Sequence, residues 1–278
     1  MAGKEGIALE NGMIYVAPPD QHLLVEQGRL RLSRGPKENR HRPSIDALFR
    51  SAAVAYGPQV IGVILTGQLD DGTVGLLAVK QCGGIAVVQD PQDALYPSMP
   101  QSALQHVAVD YHVPLDELAA LLVRLASQPV EEQIPVRIPP LLKREVQIAA
   151  METLDLHAPE THFGTASVYS CPDCGGVLQE RQDGSMLRFR CQVGHAFSVK
   201  SLLSEQPEVL ERALWVALKT LRERAHLAQR LYDQGQASGF TTQTTYYANM
   251  RQETQQHISF LEQVLRDGSV EETKEESQ

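Results

Sequence analysis

The clearest chemical signal in this 278-residue sequence is a group of three cysteines and one histidine. Cys171 and Cys174 form a CxxC pair, and Cys191 and His195 follow after sixteen intervening residues. Two close pairs of thiolate and imidazole ligands are typical of a tetrahedral zinc site. Four protein ligands leave no open position on the ion, so the sequence predicts a structural zinc and not a catalytic one. A metal-free hairpin with chance cysteines is the less favoured alternative.

A second candidate site is the acidic pair Asp70-Asp71 in LTGQLDDGTVGLL, residues 65–77. The pair follows an apolar run that reads as a buried strand, and functional groups collect at the carboxyl ends of such strands. An aspartate there can orient the histidine of a serine hydrolase triad. Either aspartate can also cap the helix predicted over Thr73–Gln81. Taken alone, the residues favour capping over catalysis.

The elements that must position these residues alternate along the first half of the chain. Hydrophobic periodicity and turn residues define the boundaries. The predicted strands are 13–17, 23–25, 29–32, 60–65, 85–89 and, less regularly, 107–110. The predicted helices are 45–56, 73–81, 99–105 and 115–125. Strands and helices in alternation, with short connections, predict a doubly wound, mostly parallel α/β sheet, preceded by a small hairpin or meander.

The second half of the sequence divides into shorter segments. A polar, proline-containing stretch predicts a linker, and two amphipathic helical patterns at 207–232 and 246–265, with a break at 235–239, predict a helical hairpin. The expected divisions are a domain over 1–127, a linker over 128–162, a zinc-ribbon module over 163–200, the hairpin over 201–268 and a disordered tail over 269–278.

Composition argues against two classes of protein. A net charge of -9 and a pI near 5.5 disfavour nucleic-acid binding, although Arg181, Arg188 and Arg190 offer weak support for it. No apolar run approaches the roughly 18 residues of a membrane span, and the N-terminus lacks a signal-peptide core. Clustered cysteines suit a metal site in a reducing compartment, while Cys82 reads as a small buried residue. The sequence therefore predicts a cytoplasmic protein without membrane insertion.

Four stretches of the first half resemble the CheB-type protein-glutamate methylesterase catalytic domain. They are YVAPPDQHLLV at 15–25, HRPSIDALFRS at 41–51, VIGVILTGQLDDGTVGL at 60–76 and GIAVVQDPQDALYPSMPQSAL at 84–104. The resemblance covers about residues 6–127. It implies an α/β domain with a Ser-His-Asp triad that cleaves glutamate methyl esters on chemoreceptors, with Asp71 as the triad aspartate. The cysteine segment is similar to an extension carried by a subset of these proteins.

Two departures from the family pattern affect the expected activity. Leu69 stands where the family usually has glycine, and the family's GxSxGG-like serine turn and its histidine motif have no counterpart. His22 reads as an exposed strand residue and Ser44 as a helix N-cap, so neither is assigned catalysis. Two explanations are expected. The favoured one is that the natural chain begins upstream of Met1, and the other is that the chain is a degenerate relative. In both cases the chain as it stands should lack esterase activity.

By this resemblance the favoured function is a chemotaxis-type protein-glutamate methylesterase whose partner is a methylated chemoreceptor or a related signalling protein. The alternative is a non-catalytic signalling adaptor with a structural zinc site. For the adaptor, the leucine-rich face of the helix at 207–232, with Trp215 on its flank, would provide the contact surface.

Overall fold

The chain divides into two units, Met1–Leu203 and Ser204–Gln278, each with its own buried apolar cluster. The structure is a computed structural model that describes residues 3–130, 138–152, 163–238 and 241–267. The tail predicted over 269–278 lies outside these residues. Among the described helices, none is both long enough and apolar enough to cross a membrane.

Strands and helices are numbered in chain order. The strands are β1 (His22–Glu26), β2 (Arg29–Ser33), β3 (Ile61–Ile64), β4 (Ile85–Gln89), β5 (Tyr111–Val113), β6 (Thr165–Ser170), β7 (Val177–Asp183), β8 (Met186–Cys191) and β9 (Ala196–Ser198). The helices are α1 (Ile45–Tyr56), α2 (Thr73–Gln81), α3 (Ser98–His106), α4 (Leu115–Ala126), α5 (Pro140–Ala149), α6 (Val199–Ser238) and α7 (Thr241–Asp267).

The first unit contains a parallel sheet of order β3-β4-β5 with helices on both faces. On one face the strands pack against α2 and α3 through Ile64, Leu76, Ala86, Val88, Met99, Ala103 and Val107. On the other they pack against α4 through Val87, Leu118, Leu121 and Leu125, with Ile61, Val63 and Ile85 beside them. Coverage of both faces explains why the strand sequences are apolar at nearly every position. The predicted parallel α/β sheet is therefore confirmed.

Two of the predicted strands are wrong. Residues 13–17 form no strand, and only Val16 makes an isolated bridge there, while β1 and β2 pair as the predicted hairpin. The strand expected at 107–110 begins later, as β5 at Tyr111, and Asp110 is the last residue of the connection from α3. Its carboxylate accepts hydrogen bonds from the backbone N–H of Ala86 at 2.8 Å and from Lys80 Nζ at 2.7 Å.

The predicted linker over 128–162 contains a helix, α5, which packs against α1. Leu142 joins the apolar cluster of Ala53 and Val79, and Ala149 packs beside Ala47. The prolines before the helix made this segment resemble a loop. A proline in the first helical turn is tolerated, because the N–H groups of that turn make no hydrogen bond within the helix. The part of the predicted linker over 153–162 lies outside the described residues.

The segment that carries the predicted metal ligands is not a separate unit. Strands β6 to β9 form an antiparallel sheet within the first unit, in the order β6-β7-β8-β9. Ala196 bridges Glu38 in parallel, its carbonyl accepts the backbone N–H of Asn39 at 2.8 Å, and its own N–H donates to Lys37 O at 3.3 Å. The boundary between units falls after Leu203 and inside α6, not at either edge of 163–200.

The second unit consists of α7 and the larger part of α6. Leu218, Ala225 and Ile258 are buried between the two helices, and Arg222 Nη2 lies 2.7 Å from Glu262 Oε1. The α6 helix differs from the predicted one, since it begins at Val199, runs through the predicted start at residue 207, and continues across the predicted break at 235.

Candidate functional site

Asp71 follows β3 on the loop to α2, and only 7% of its surface is exposed. Its carboxylate accepts hydrogen bonds from Ser44 Oγ at 2.8 Å, from the Ile45 N–H at 2.8 Å and from the Asp46 N–H at 3.3 Å. These groups belong to the first turn of α1, where unpaired N–H groups favour a negative charge. The predicted capping role is therefore present, but the capped helix is α1. Helix α2 starts after Gly72, at φ 90°, without a side-chain cap.

A second buried carboxylate, Asp46, lies beside Asp71. Asp46 Oδ1 accepts the backbone N–H of Gly75 at 2.6 Å, and Oδ2 accepts Asn39 Nδ2 at 2.9 Å. Burial, and after it the charge of Asp71, raises the pKa of Asp46 to about 8. Asp46 is therefore largely protonated at neutral pH, which limits the repulsion between two adjacent acids.

Asp70 has a different partner, although it precedes Asp71 directly. The Ser198 hydroxyl donates to Asp70 Oδ1 at 2.7 Å, and Asp70 is 3% exposed. Burial raises the pKa of Asp70, and the hydrogen bond from Ser198 opposes that shift. The acid pair therefore holds two elements in place: Asp71 binds the start of α1, and Asp70 binds the end of β9.

The turn before this pair requires an unusual backbone conformation at Leu69. Leu69 has φ 60°, in the left-handed region, and its carbonyl accepts the Ser98 hydroxyl at 3.0 Å. Glycine adopts this region without steric cost, so the backbone here suits the glycine that the resemblance implies at this position. The loop keeps a glycine-like conformation although it carries a leucine.

Ser44, His22 and Asp71 lie close together, but their hydrogen bonds are not those of a catalytic triad. Ser44 Oγ donates to Asp71, while His22 Nδ1 lies 3.2 Å from the Ser44 backbone N and Nε2 lies 2.9 Å from Pro36 O. Burial lowers the pKa of His22, consistent with a neutral ring that accepts at Nδ1 and donates at Nε2. Both ring nitrogens thus bind backbone groups, so His22 is structural.

The structure differs from the sequence predictions for His22 and Ser44. His22, the first residue of β1, is fully buried and not exposed, because its ring packs against the 36–44 segment and binds Pro36 O and the Ser44 N–H. Ser44 occupies the N-cap position of α1, but its side chain makes no cap bond to its own helix. The Asp71 carboxylate performs that role. Among the described residues, no histidine nitrogen is within hydrogen-bonding distance of Asp71.

The four predicted metal ligands converge. The ligand atoms of Cys171, Cys174, Cys191 and His195 all lie within 4.8 Å of one another. The sulfurs of Cys174 and Cys191 are 3.7 Å apart, and His195 Nδ1 is 3.7 Å and 3.6 Å from the sulfurs of Cys171 and Cys191. Zn–S bonds of about 2.3 Å in a tetrahedron place sulfurs about 3.8 Å apart. The spacing therefore fits one ion of this size.

Two similar turns present these ligands. In the first, the Gly175 N–H donates to Cys171 O at 2.8 Å, and in the second the Gly194 N–H donates to Cys191 O at 3.0 Å. Gly175 has φ 72° and Gly194 has φ 111°, conformations that disfavour a side chain. The hydrogen bond from the Cys171 thiol, together with that from His195, lowers the pKa of Cys191. Thiolate is the form that binds zinc.

A buried ionic cluster connects the metal-binding sheet to the α/β part of the first unit. It consists of Glu38, Arg50, Glu145, Arg188 and Arg190, each at most 4% exposed. Glu145 Oε1 accepts Arg188 Nη2 at 2.7 Å and Arg190 Nη2 at 3.1 Å, and Arg50 binds Glu38. Burial alone would raise the pKa of Glu145, but the three guanidinium charges hold it well below its usual range.

This cluster overturns the weak support that three arginines gave to nucleic-acid binding. Arg188 and Arg190 are buried and bound to Glu145, and Arg181 Nε lies 2.8 Å from Asp183 Oδ1. Nothing in the local spacing of these residues predicts the cluster. The one available signal is Glu145 at an otherwise apolar position of the helical pattern Leu142, Glu145, Ala149.

Comparisons with known proteins agree on one family for the first part of the chain. Residues 2–122 match the family model described as CheB methylesterase. A relative from Leptospira interrogans, described as a protein-glutamate methylesterase/protein-glutamine glutaminase, is 45% identical over 126 residues, which are 45% of this chain and 65% of the relative. One from Anaeromyxobacter dehalogenans, with the same description, is 41% identical over 127 residues, 44% of this chain and 36% of the relative.

The crystal structure of the Thermotoga maritima CheB methylesterase catalytic domain shares 32% identity with this chain at a TM-score of 0.43, over 45% of this chain and 68% of that one. The chain spans just under two thirds of the length of the Leptospira relative and about one third of the Anaeromyxobacter relative. The matched region contains α1, the β3–α2 loop and Asp71. The family model and the curated relatives therefore support a CheB-type catalytic domain over residues 2–122.

Proposed function

We propose that residues 2–122 are the acid-bearing part of a CheB-type protein-glutamate methylesterase, which hydrolyses glutamate methyl esters on chemoreceptors. The observation that carries this proposal is Asp71, which follows β3 on the loop to α2 inside the family match. The descriptions of the Leptospira and Anaeromyxobacter relatives support the same reaction. The substrate is then a methylated chemoreceptor or a related signalling protein.

Asp71 is suited to the role of the triad acid. A triad acid orients the imidazole and stabilises the imidazolium that forms when histidine takes the proton from serine. Three donors from α1 hold the carboxylate in one orientation. A carboxylate has about four acceptor sites, so one is left for an imidazole N–H. No serine–histidine pair with triad geometry contacts Asp71 in the described residues, so we expect no turnover by this chain alone.

A chimera tests the role of Asp71. The matched residues of the Leptospira relative are replaced by residues 2–122 of this chain, and methanol release from methylated chemoreceptor is measured. We expect the chimera to be active and its Asp71→Ala variant to lose about 10⁴-fold in kcat, the usual effect of disabling a triad acid. Asp90→Ala, at the end of the neighbouring strand β4, is the matched control and should retain activity.

Two results would contradict the proposal. One is a folded chimera whose Asp71→Ala variant hydrolyses the ester as fast as its parent. The other is methanol release by the 278-residue chain alone, because a complete catalytic site would then exist without the triad geometry assigned here.

The Cys3His cluster is proposed to hold one structural zinc ion. Its support is the tetrahedral spacing of the four ligand atoms. When bound, the ion would cross-link the Cys171 and Cys191 turns and take no part in ester hydrolysis, because its shell is closed. Metal analysis should find one zinc per chain, and Cys174→Ser should reduce that content, whereas Cys82→Ser should not. A cytoplasmic location fits this proposal, since a reducing compartment keeps the thiols free.

A non-catalytic adaptor is the second candidate. It is favoured by the exposure of Leu210 and Trp215 on α6, at 59% and 51%. Capture of a signalling partner that is lost in Leu210→Ser and Leu214→Ser variants, but kept in Asp71→Ala, would support the adaptor over the enzyme.

A further inference from the structure

We propose that metal binding in the Cys3His cluster fixes the conformation of the Asp70–Asp71 turn, with Asn39 and Ser198 as the positioning residues. This coupling goes beyond the proposed function. Only its effect on catalysis rests on that function. A series of hydrogen bonds within the first unit carries it, and these bonds form a continuous path from the last metal ligand to the acid pair.

The path starts at His195, the fourth metal ligand. The next residue, Ala196, accepts the backbone N–H of Asn39 at 2.8 Å and donates to Lys37 O at 3.3 Å. These bonds attach the 37–39 segment to β9. A bound metal would stabilise this ligand turn further, because the ion cross-links it to the Cys171 turn. The backbone position of Asn39 therefore depends on the folded metal site.

Asn39 carries the connection to α1. Its side-chain oxygen accepts the backbone N–H of Ser198 at 3.0 Å and the Ser201 hydroxyl at 2.9 Å. Its side-chain nitrogen donates to Asp46 Oδ2 at 2.9 Å. Asp46 contributes the backbone N–H that lies 3.3 Å from Asp71 Oδ1. One buried carboxamide thus joins the start of α6 to the helix turn that binds Asp71.

Ser198 makes the second, direct connection. Its hydroxyl donates to Asp70 Oδ1 at 2.7 Å, across 128 residues of sequence, and both residues are buried. A buried carboxylate that loses its hydrogen-bond donor is destabilised by its full desolvation free energy. The turn also contains Leu69 at φ 60°, a conformation that persists only when its surroundings hold it. Without β9, the Asp70–Asp71 turn should relax.

Hydrogen exchange of the full-length chain tests the coupling. Backbone amide exchange is followed by mass spectrometry in peptides covering 66–76, with zinc bound and after chelation. In the wild type we expect chelation to accelerate exchange of this turn by at least about tenfold, while β4 keeps its protection. In Ser198→Ala with zinc bound, the turn should already exchange fast, and chelation should add little.

Ser185→Ala is the matched control. Ser185, in the turn between β7 and β8, also joins the metal-binding sheet to the α/β part, through a 2.6 Å contact with His106 Nδ1 on α3, but this contact involves neither acid of the pair. This variant should leave exchange of 66–76 at the wild-type rate. Ser198→Thr keeps the hydroxyl donor and should restore the slow rate.

Cobalt substitution separates the coupling from damage to the metal site. The Ser198→Ala variant should keep the visible spectrum and the affinity of tetrahedral Co²⁺, because its change lies outside the ligand set. The proposal is overturned if zinc leaves and the turn keeps its protection. It is also overturned if β4 and the turn lose protection together, since the metal would then stabilise the whole unit, or if Ser198→Ala exchanges like the wild type.

Discussion

The Asp71 carboxylate combines a structural and a proposed catalytic role in one side chain. Its three donors come from a helix start contributed by residues 44–46, so the acid and α1 stabilise each other. Functional residues often reduce stability, because they are placed for chemistry and not for packing. Asp71 is expected to differ, because its carboxylate accepts three hydrogen bonds from the start of α1.

Substitution of Asp71 measures the structural role. Asp71→Ala leaves the Ser44 hydroxyl and the Ile45 N–H without their buried acceptor, and we expect a loss of about 2 kcal/mol in the free energy of unfolding. Asp71→Asn retains one acceptor oxygen and should lose less. Urea unfolding of the 278-residue chain provides the measurement, with Asp90→Ala, which loses one exposed hydrogen bond from the Gln92 N–H, as a control that should lose less. Increased stability in Asp71→Ala would contradict the capping role.

Leu69 offers a stabilising substitution at the same turn. Leu69→Gly removes the steric cost of a side chain at φ 60° and should raise the free energy of unfolding by about 1 kcal/mol, after the greater freedom of glycine in the unfolded chain is counted. Leu69→Ala keeps the unfavourable conformation and should show no such gain. A loss of stability in Leu69→Gly would mean that packing of the leucine side chain outweighs its backbone strain.

At the scale of elements, close approach of α1 and α2 sets the position of the acid turn. Gly75 lies in the first part of α2, and its N–H binds Asp46 Oδ1 at 2.6 Å. A Cβ atom at Gly75 would lie 2.7 Å from Phe49 Cβ and 2.9 Å from Asp46 Cα. The glycine therefore permits the contact between helices that brings Asp46 and Asp71 together.

The Gly75→Ala variant compares the gain in helix propensity with the cost of overpacking between α1 and α2. Alanine favours a helix by about 1 kcal/mol over glycine. We nevertheless expect the variant to be less stable by about 1–3 kcal/mol, because the added methyl group overpacks the contact with Phe49 and Asp46. Thermal unfolding followed by circular dichroism provides the measurement. A higher melting temperature would show that α1 can move away without cost.

At the scale of the whole molecule, the buried ionic cluster joins three parts of the first unit. Glu38 and Arg50 come from the α/β part, Glu145 from α5, and Arg188 and Arg190 from β8. Removing one partner of a buried pair leaves an uncompensated charge and costs about 3–5 kcal/mol. We expect this loss for Glu145→Gln in urea unfolding. Glu152→Gln, whose pair with Arg31 is partly exposed, should change stability by less than about 1 kcal/mol.

The same cluster sets the acid limit of stability. The guanidinium groups hold the pKa values of Glu38 and Glu145 below the usual range, against the effect of burial. Stability from a lowered carboxyl pKa is present above the unfolded value, about 4.3, and is lost as the pH falls through the folded value. The free energy of unfolding should therefore fall steeply below about pH 4, and the slope should be shallower in Glu145→Gln. Equal slopes would show that Glu145 takes up no extra proton on unfolding.

Much of this organisation could be read from the sequence because it depends on local patterns. The periods of apolar residues predict α1, β3, α2, β4 and α4 to within one or two residues. The four predicted metal ligands form two pairs within short turns, so their spacing alone predicts that they converge. The prolines before α5 made its segment resemble a linker. Residues 107–110, which end at Asp110, were predicted as a strand in place of β5.

The sequence by itself determined the parallel α/β pattern, the Cys3His ligand set and the position of Asp71 at the end of a strand. Only the tertiary structure decided the partners of the acid pair: Asp71 caps α1 and not α2, and Asp70 binds Ser198, 128 residues away. It also decided that Arg188 and Arg190 are buried against Glu145. The physical reason is that periodicity and ligand spacing are local properties, whereas the partner of a buried polar group depends on which distant segments pack together.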